Sequence, residues 1–345
     1  MNNLQKISAD LYVSESLFRK EYISCPQSAT KGTDTINMYY GKMSECEVRF
    51  REGGPFWHIC TSPIESDIYF RNEEEHAEAL NIMAITVFLS RCRLLAYSVM
   101  TNHFHFVLEG TESAAHEFWD IFYDRFAAFL KRTGRLYLAK SCRPQYIPIK
   151  DLKQLKDEIA YVIRNHFAAA PDYNIFACLW DSGHLYFNPL LSRMEAGKSA
   201  AELTYSERRI FKHERDASVD PRIMVLDGVA TPASFVDYKR AESFFENARE
   251  FLLWTMKNVE SMVEVAKRIG EKPNLTDTEL RSVIWQMCKQ KYNCAGPAML
   301  TPEHKTGLLH SLKYDYCASN AQIARCIGCR LSEINQIFPL SAPTK

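Results

Sequence analysis

The stretch that decides the fold is Val99-Met-Thr-Asn-His-Phe-His-Phe-Val-Leu108. Its large apolar residues predict a β-strand, in which successive side chains point to opposite faces. His103 and His105 therefore share one face, whereas Phe104 and Phe106 face the core. Two imidazoles side by side on a sheet are half of a metal site. The alternative is a pair of ordinary polar residues on a solvated face, and the pair alone favours that alternative.

Length and composition bound the class of protein. The chain has 345 residues, enough for two or three domains, and its 46% hydrophobic and 24% charged residues are ordinary for a globular protein. It has no run of 18 apolar residues and no basic segment followed by an apolar core at its start, so we expect neither a transmembrane helix nor a secretory signal. Eleven scattered cysteines favour free thiols. The sequence therefore predicts a cytoplasmic protein with no membrane partner.

Charge is balanced over the whole chain but uneven along it. The 42 basic and 42 acidic residues argue weakly against a nucleic-acid partner. Residues 125–164, however, hold ten Lys or Arg and only three acidic residues, whereas residues 65–124 hold 11 acidic and three basic residues. The basic segment 125–164 can therefore hold a polyanion. The alternative is a solvated helix face followed by a basic loop.

Hydrophobic periods and end signals predict the elements around the opening stretch. Strands are predicted at 56–61, 93–99, 103–109 and 145–149, and helices at 72–91, 113–132 and 151–167. Asn72 is a suitable cap for the first helix, and Gly134 ends the second. The order β-α-β-β-α-β-α predicts an α+β fold, a ferredoxin-like or RRM-like antiparallel sheet with helices on one face and one extra helix.

The third predicted helix supplies further chemical groups. Tyr161 and Asn165 are four residues apart, so they lie on the same helix face. Tyr161 offers a phenol and Asn165 an amide oxygen. A tyrosine in a helix is most often a packing residue with its hydroxyl at the surface, which is the alternative interpretation.

The C-terminal half has weaker signals and is predicted to be all-helical. Residues 189–231 are polar and predict a linker with a short helix at 200–212, and further helices are predicted at 235–258 and 276–291. Residues 301–340 predict a helix-turn-helix, with a small Ala324 between two helices and Gly328 at the turn. Arg330 and Gln336 are then candidate DNA contacts. The alternative is an αα-hairpin that has no role in DNA binding.

Three segments together resemble a known family. They are Phe70-Arg-Asn-Glu-Glu-Glu75, Ala96-Tyr-Ser-Val-Met-Thr-Asn-His-Phe-His-Phe-Val-Leu108 and Tyr161-Val-Ile-Arg-Asn165. This text is similar to the single-tyrosine HUH transposases of small bacterial insertion sequences and their REP-associated relatives. The resemblance covers about residues 55–188. It divides the chain into an N-terminal extension (1–52), a catalytic domain (53–188), a linker and helical region (189–300) and a helix-turn-helix region (301–340).

The resemblance implies an activity and a set of site residues. His103, His105 and Asn165 would bind Mg²⁺ or Mn²⁺, and Tyr161 would attack a phosphodiester to form a 5′-phosphotyrosine. The implied substrate is single-stranded or hairpin DNA, and the implied process is transposition or the processing of palindromic repeats. Some members of the family act as homodimers, so a homodimer is a further expectation.

Four basic residues within or next to the predicted helices are candidate DNA contacts on the same basis. They are Lys131, Arg132, Arg143 and Arg164. Four further histidines are predicted to have surface or packing roles instead of binding metal: His58, His76, His116 and His166.

Two other functions remain open at this point. One is a non-catalytic DNA-binding regulator that uses the helix-turn-helix and keeps the HUH fold as a scaffold. The other is a metal-dependent RNA-processing enzyme of ferredoxin-like fold, which would not need Tyr161. The joint presence of His103, His105, Tyr161 and Asn165 favours the DNA-processing enzyme.

Overall fold

The computed structural model describes residues 43–64, 67–169, 178–191, 197–211, 219–257 and 259–339. Most of the predicted N-terminal extension, residues 1–42, lies outside the described residues. The end of that extension forms helix α1 (Glu45–Glu52), capped by the Ser44 side chain. The chain divides into two compact units, Met1–Thr255 and Met256–Lys345.

The first unit contains a four-stranded antiparallel sheet. Its strands are β1 (Phe56–Thr61), β2 (Arg93–Val99), β3 (Phe104–Glu109) and β4 (Pro144–Ile149), in the order β2-β3-β1-β4. All neighbouring strands pair antiparallel, with β1 and β3 in the centre. The predicted α+β class with an antiparallel sheet is confirmed, and its strands begin and end within one residue of the predicted bounds.

Two helices cover one face of this sheet. They are α2 (Glu73–Leu89) and α3 (Glu112–Arg132), and the Asn72 side chain accepts a hydrogen bond from the Glu75 amide at the start of α2. The Phe104 ring packs between rings of α3, with centroids 5.1 Å from Phe122 and 4.9 Å from Phe126. These rings are fully buried, so they add a large apolar area to the contact between the layers.

The extra helix covers the opposite face. It is α4 (Leu152–Ala169), and its Leu155, Ile159 and Val162 share a core with Ala96 and Val107 of the sheet. Because side chains alternate along a strand, Val107 lies on the same face as His105, opposite to Phe104 and Phe106. The two crossover helices therefore cover one face as predicted, and α4 lies over the face that carries the histidine pair.

The segment predicted as a polar linker contains a small second sheet instead. Its strands are β5 (Lys198–Ser199), β6 (Met224–Leu226) and β7 (Val229–Ala230). The Asn81 amide of α2 donates to the Gly228 carbonyl at 3.2 Å and accepts from the Ala230 amide at 2.7 Å, which attaches this sheet to α2. Strands of two or three residues are too short to show a period in the sequence.

Two predicted helices in this half differ from the structure. The predicted helix at 200–212 is replaced, within the described residues, by two 3₁₀ turns at Ala200–Glu202 and Glu207–Phe211. The predicted helix at 235–258 is two helices, α5 (Tyr238–Glu242) and α6 (Ala248–Lys257). Phe244, between these helices, and Phe251 of α6 lie in the core that α4 shares with the sheet.

The second unit is helical throughout its described part. Its helices are α7 (Val259–Ile269), α8 (Asp277–Gln290), α9 (Pro302–Tyr314), α10 (Asn320–Ile327) and α11 (Leu331–Ile337). Its own core includes Leu280, Leu308 and Ile334. Gly328 ends α10 with φ of 78°, a left-handed conformation that glycine adopts without steric cost. The predicted turn residue therefore separates α10 from α11.

None of the helices in the described ranges has both the length and the hydropathy that crossing a bilayer requires.

Candidate metal and nucleophile site

Three neighbouring strands place polar side chains in one row beneath α4. His105 of β3 is opposite Ser98 of β2 on one side and Cys60 of β1 on the other. All three residues are fully or almost fully buried. The strand order decides this grouping, because β1 inserts next to β3 although the two are far apart in the chain.

The histidine pair has the arrangement predicted from strand alternation. The rings of His103 and His105 have centroids 4.9 Å apart, and each residue brings a ring nitrogen within 4.8 Å of the other. Nδ1 of His103 donates a hydrogen bond to the Asn102 amide oxygen at 2.8 Å, so Nε2 is the unprotonated nitrogen of the neutral ring. His103 is 8% exposed and His105 is fully buried, so solvent reaches the pair at His103.

The nucleophile candidate lies against this pair. The rings of Tyr161 and His105 meet edge to face, with centroids 5.7 Å apart. Asn165 follows one turn later on the same helix face and is half-buried. The amide nitrogen of Asn165 is buried and has no hydrogen-bond partner among the described residues. The structure thus brings Tyr161 to the histidines and leaves the Asn165 side chain one helical turn away.

A fourth residue, His58, belongs to the site although it was predicted to have a surface or packing role. His58 of β1 is fully buried. Its Nδ1 lies 2.7 Å from the Glu158 carboxylate of α4, and its Nε2 lies 3.1 Å from Nδ1 of His105. With the carboxylate as acceptor, His58 carries its proton on Nδ1 and accepts from His105 Nδ1–H. This Glu158–His58–His105 chain therefore gives Nε2 of His105 the lone pair.

Burial also sets the charge of His105. Loss of hydration lowers the pKa of His105 well below its usual 6.5, and the neighbouring His58 and His166 lower it further. His105 is consequently a neutral imidazole at physiological pH. A neutral imidazole is the form that binds metal.

The donor atoms in this row are compatible with a metal ion. The ligand atoms of His58, Cys60 and His105 all lie within 4.8 Å of one another. The Glu158 hydrogen bond to His58 is the typical partner that orients a histidine in or beside a metal site. The buried residues His58, Cys60 and His105, named here the histidine row, can therefore hold a metal. The pair of His103 and His105 is an alternative set of ligands.

The candidate DNA contacts of the first unit differ in exposure. Lys131, Arg132 and Arg143 are exposed, and Arg132 forms an ion pair with Glu78. Arg164 is only 4% exposed, and its contact with DNA stays a prediction.

The basic segment 125–164 is also less available than its composition suggests. Arg135 is buried and pairs with Glu75 at 2.6 Å. Lys156 is buried and pairs with Glu250 at 2.5 Å. These cations neutralise acidic residues of the fold, so the positive surface is limited to the exposed residues of the segment.

The candidate DNA contacts of the second unit are exposed. Arg330 precedes α11 and Gln336 lies in its last turn, whereas Ile334 between them is buried. The Arg330 amide donates to the Glu333 carboxylate at 3.3 Å. A carboxylate thus lies beside Arg330 at the start of the helix.

The sequence contains a signal for His58, whose place in the site was not predicted. His58 and Cys60 are two residues apart in β1, so they share one face, as His103 and His105 do in their own stretch. Glu158 is three residues before Tyr161 and shares its helix face. Only the strand order and register show that these residues meet.

The site can be compared with known proteins. No protein-family model matches the chain, and no curated protein matches it. Among solved structures, a REP-associated tyrosine transposase bound to a REP hairpin is similar to this chain at 12% sequence identity. That similarity covers 44% of this chain and 84% of the transposase chain, with a TM-score of 0.29.

Proposed function

We propose that this chain is a metal-dependent enzyme that nicks single-stranded DNA and transfers the strand through a tyrosine–phosphate intermediate. The observation that carries the proposal is the edge-to-face contact of Tyr161 with His105, at 5.7 Å between ring centroids. Had α4 packed on the other face of the sheet, Tyr161 and the histidine pair would be separated by the sheet itself. The sequence resemblance supplies the reaction class.

In the proposed reaction, the phenolic oxygen of Tyr161 attacks the phosphorus of a phosphodiester. The bond from the tyrosine oxygen to phosphorus forms as the bond from phosphorus to the 3′ oxygen breaks. The phenol passes its proton to solvent, and the departing oxygen takes up a proton to become a 3′ hydroxyl. The 5′-phosphotyrosine conserves the bond energy, so a later attack by a DNA 3′ hydroxyl can rejoin strands and regenerate Tyr161.

A divalent cation is part of this proposal. His103, His105 and Asn165 would hold Mg²⁺ or Mn²⁺, an ion that polarises a phosphodiester and stabilises the negative charge of the transition state. Two features of the residues fit such a group. Burial lowers the pKa of His105, so its imidazole is neutral and can bind a cation, and the ring of His103 lies beside it with the centroids 4.9 Å apart.

His58 and Glu158 have a positioning role in the proposal. The Glu158 carboxylate fixes the proton on Nδ1 of His58, and His58 in turn fixes the proton on Nδ1 of His105. His105 then presents one defined nitrogen lone pair, and its ring cannot rotate without breaking the buried hydrogen bond to His58. Partners of this kind hold histidine ligands in the orientation that a metal requires.

A DNA-binding regulator is the second candidate function. The observation that favours it is the exposure of Arg330 and Gln336 on α11, after the left-handed turn at Gly328. In a helix-turn-helix, the second helix presents such residues to the major groove. This function does not require Tyr161.

Trapping of the covalent intermediate tests the proposal. The full-length protein is incubated with Mn²⁺ and hairpin oligonucleotides that have randomised single-stranded flanks and a label at the 3′ end. We expect a labelled protein band in a denaturing gel, because the 5′-phosphate of the 3′ fragment remains on Tyr161.

The matched variants are Tyr161→Phe, which should abolish the band, and Tyr205→Phe, which should not, since Tyr205 is 90% exposed and far from the site in sequence. DNA binding without any adduct in the wild-type protein would favour the regulator. An adduct that persists in Tyr161→Phe would rule out Tyr161 as the nucleophile.

A further inference from the structure

A second group of metal-binding side chains lies at the end of α4. It consists of His166, Cys178 and Asp181, named here the Asp181 cluster. One ligand atom from each of the three residues lies within 4.8 Å of the other two. Cys178 and Asp181 are buried, and the His166 side chain is 12% exposed.

Asp181 is the residue that needs an explanation. Its side chain is fully buried. One carboxylate oxygen accepts a hydrogen bond from the Gly183 amide at 2.8 Å. The other has no hydrogen-bond partner among the described residues and lies 3.4 Å from Nδ1 of His166. A buried carboxylate is costly unless it is paired or coordinates a metal.

A serine-based catalytic triad does not account for this group. Ser98 Oγ lies 3.2 Å from Nδ1 of His166, but Asp181 faces the same nitrogen. A triad needs the hydroxyl and the carboxylate on opposite nitrogens of the ring. Ser98 is also fully buried, so no substrate reaches its hydroxyl.

The backbone around the cluster is held rigidly. Nδ1 of His184 donates to the carbonyls of Cys178 and Asp181, both at 3.0 Å. The Val99 amide of β2 donates to the Trp180 carbonyl at 2.8 Å. The two ligands that follow α4 in the sequence are therefore fixed against β2 before any ion binds, which reduces the entropic cost of binding.

We propose that His166, Cys178 and Asp181 form a binding site for a borderline transition metal of the Zn²⁺ type. Nitrogen, sulfur and carboxylate oxygen are the ligands of Zn²⁺ in proteins, and three protein ligands leave a fourth position for water. Thiolate sulfur disfavours Mg²⁺, so this site differs in metal preference from one formed by His103, His105 and Asn165. A cation there also neutralises the buried Asp181. The site does not depend on the proposed DNA chemistry.

Cobalt substitution tests this site in the full-length protein. The protein is treated with a chelator under reducing conditions and titrated with Co²⁺, and the thiolate-to-cobalt charge-transfer absorbance is followed in the near ultraviolet. We expect a saturable band that one equivalent of Zn²⁺ removes. Cys178→Ser should abolish the band, and Asp181→Asn, which keeps the side-chain shape, should weaken Zn²⁺ binding by roughly tenfold or more.

Cys60→Ser tests the buried cysteine of the histidine row. The matched control is Cys92→Ser, because Cys92 is a buried free cysteine outside both groups of candidate ligands. It should leave the band unchanged. A wild-type protein without a band, or a band that survives Cys178→Ser, would overturn the proposal, and loss of the band in Cys60→Ser alone would assign the metal to the histidine row. As a second measurement, Zn²⁺ should raise the melting temperature of the wild type and not that of Asp181→Asn. An equal rise in both proteins would also contradict the proposal.

Discussion

His58 Nδ1 donates a hydrogen bond of 2.7 Å to the Glu158 carboxylate, although 100 residues separate the two in the sequence. Both side chains are fully buried. The bond joins β1 to α4, and the His58 ring lies beside the rings of both His105 and Tyr161. It therefore connects the orientation of a candidate ligand to the position of the helix that carries the candidate nucleophile.

The first prediction concerns Glu158. Glu158→Gln keeps the size of the side chain but removes its negative charge and allows an N–H group to face His58. We expect the rate of adduct formation to fall by roughly ten- to a hundredfold, as for other partners of histidine ligands. The measurement is the initial rate of DNA–protein adduct formation at saturating Mn²⁺, together with the Mn²⁺ dissociation constant.

The surface variant Glu117→Gln is the control, since Glu117 pairs only with Arg91 in the described ion-pair network of α3. It should change neither quantity. An unchanged Mn²⁺ dissociation constant and rate in Glu158→Gln would show that the Glu158–His58–His105 chain has no positioning role.

The second prediction concerns the aromatic core. Phe104 is fully buried between the sheet and α3. Phe104→Ala should lower the free energy of unfolding by about 3–5 kcal/mol, because it removes apolar surface and leaves a cavity. The measurement is urea denaturation followed by circular dichroism. Tyr205→Ala, at a residue that is 90% exposed, should change the free energy of unfolding by less than about 0.5 kcal/mol. A similar small change in Phe104→Ala would contradict the packing described for β3.

The third prediction concerns acid stability. Burial tends to raise the pKa of Glu109, but the hydrogen bonds and charge of Arg240 outweigh this, and the pKa is lowered from its usual 4.5. The two carboxylate oxygens each lie 3.0 Å from an Arg240 nitrogen. Because the folded-state pKa lies below the unfolded one, the stabilisation is complete above about pH 4.5 and is lost as the pH falls through the folded-state value.

Glu109→Gln should remove this component of the pH dependence. Melting temperatures of the wild type and the variant should differ most above pH 5 and converge below pH 4. Burial lowers the pKa of His76 from 6.5, so His76 destabilises the fold as the pH falls below 6.5, and it does so equally in both proteins. A constant difference between the two proteins from pH 7 to pH 3 would contradict the role assigned to the Glu109–Arg240 pair.

The fourth prediction concerns the DNA contacts. Arg143, next to β4, is exposed, whereas Arg164 of α4 is only 4% exposed. Arg143→Ala should weaken binding to all hairpin sequences and reduce the slope of log affinity against log salt concentration by about one, because one phosphate contact is lost. The measurement is fluorescence anisotropy at several salt concentrations.

Arg222→Ala is the control for a general loss of positive charge, since Arg222 is exposed and pairs with Asp220. It should leave the salt slope unchanged. Equal reductions in Arg143→Ala and Arg222→Ala would show that binding depends on net charge and not on a contact at Arg143.

Local patterns were sufficient for the elements of the four-stranded sheet and its helices and for one face of the site. Alternation along β3 predicted that His103 and His105 share a face opposite Phe104 and Phe106, and the structure has that arrangement. The cap at Asn72 was also predicted correctly. These features depend on residues within a few positions of one another, so the sequence determines them through backbone geometry and side-chain period.

Other features were decided only by the tertiary structure. His58 meets His105 because β1 pairs with β3, and Arg164, in a basic segment, is buried by the folded structure. The Asp181 cluster likewise forms where the residues after α4 are held against β2. No local period encodes which strand lies beside another or which charged side chain is covered. The sequence alone thus determined the elements of the first sheet, its covering helices and the histidine pair. Long-range packing decided the partners, because burial and pairing are properties of the assembled layers.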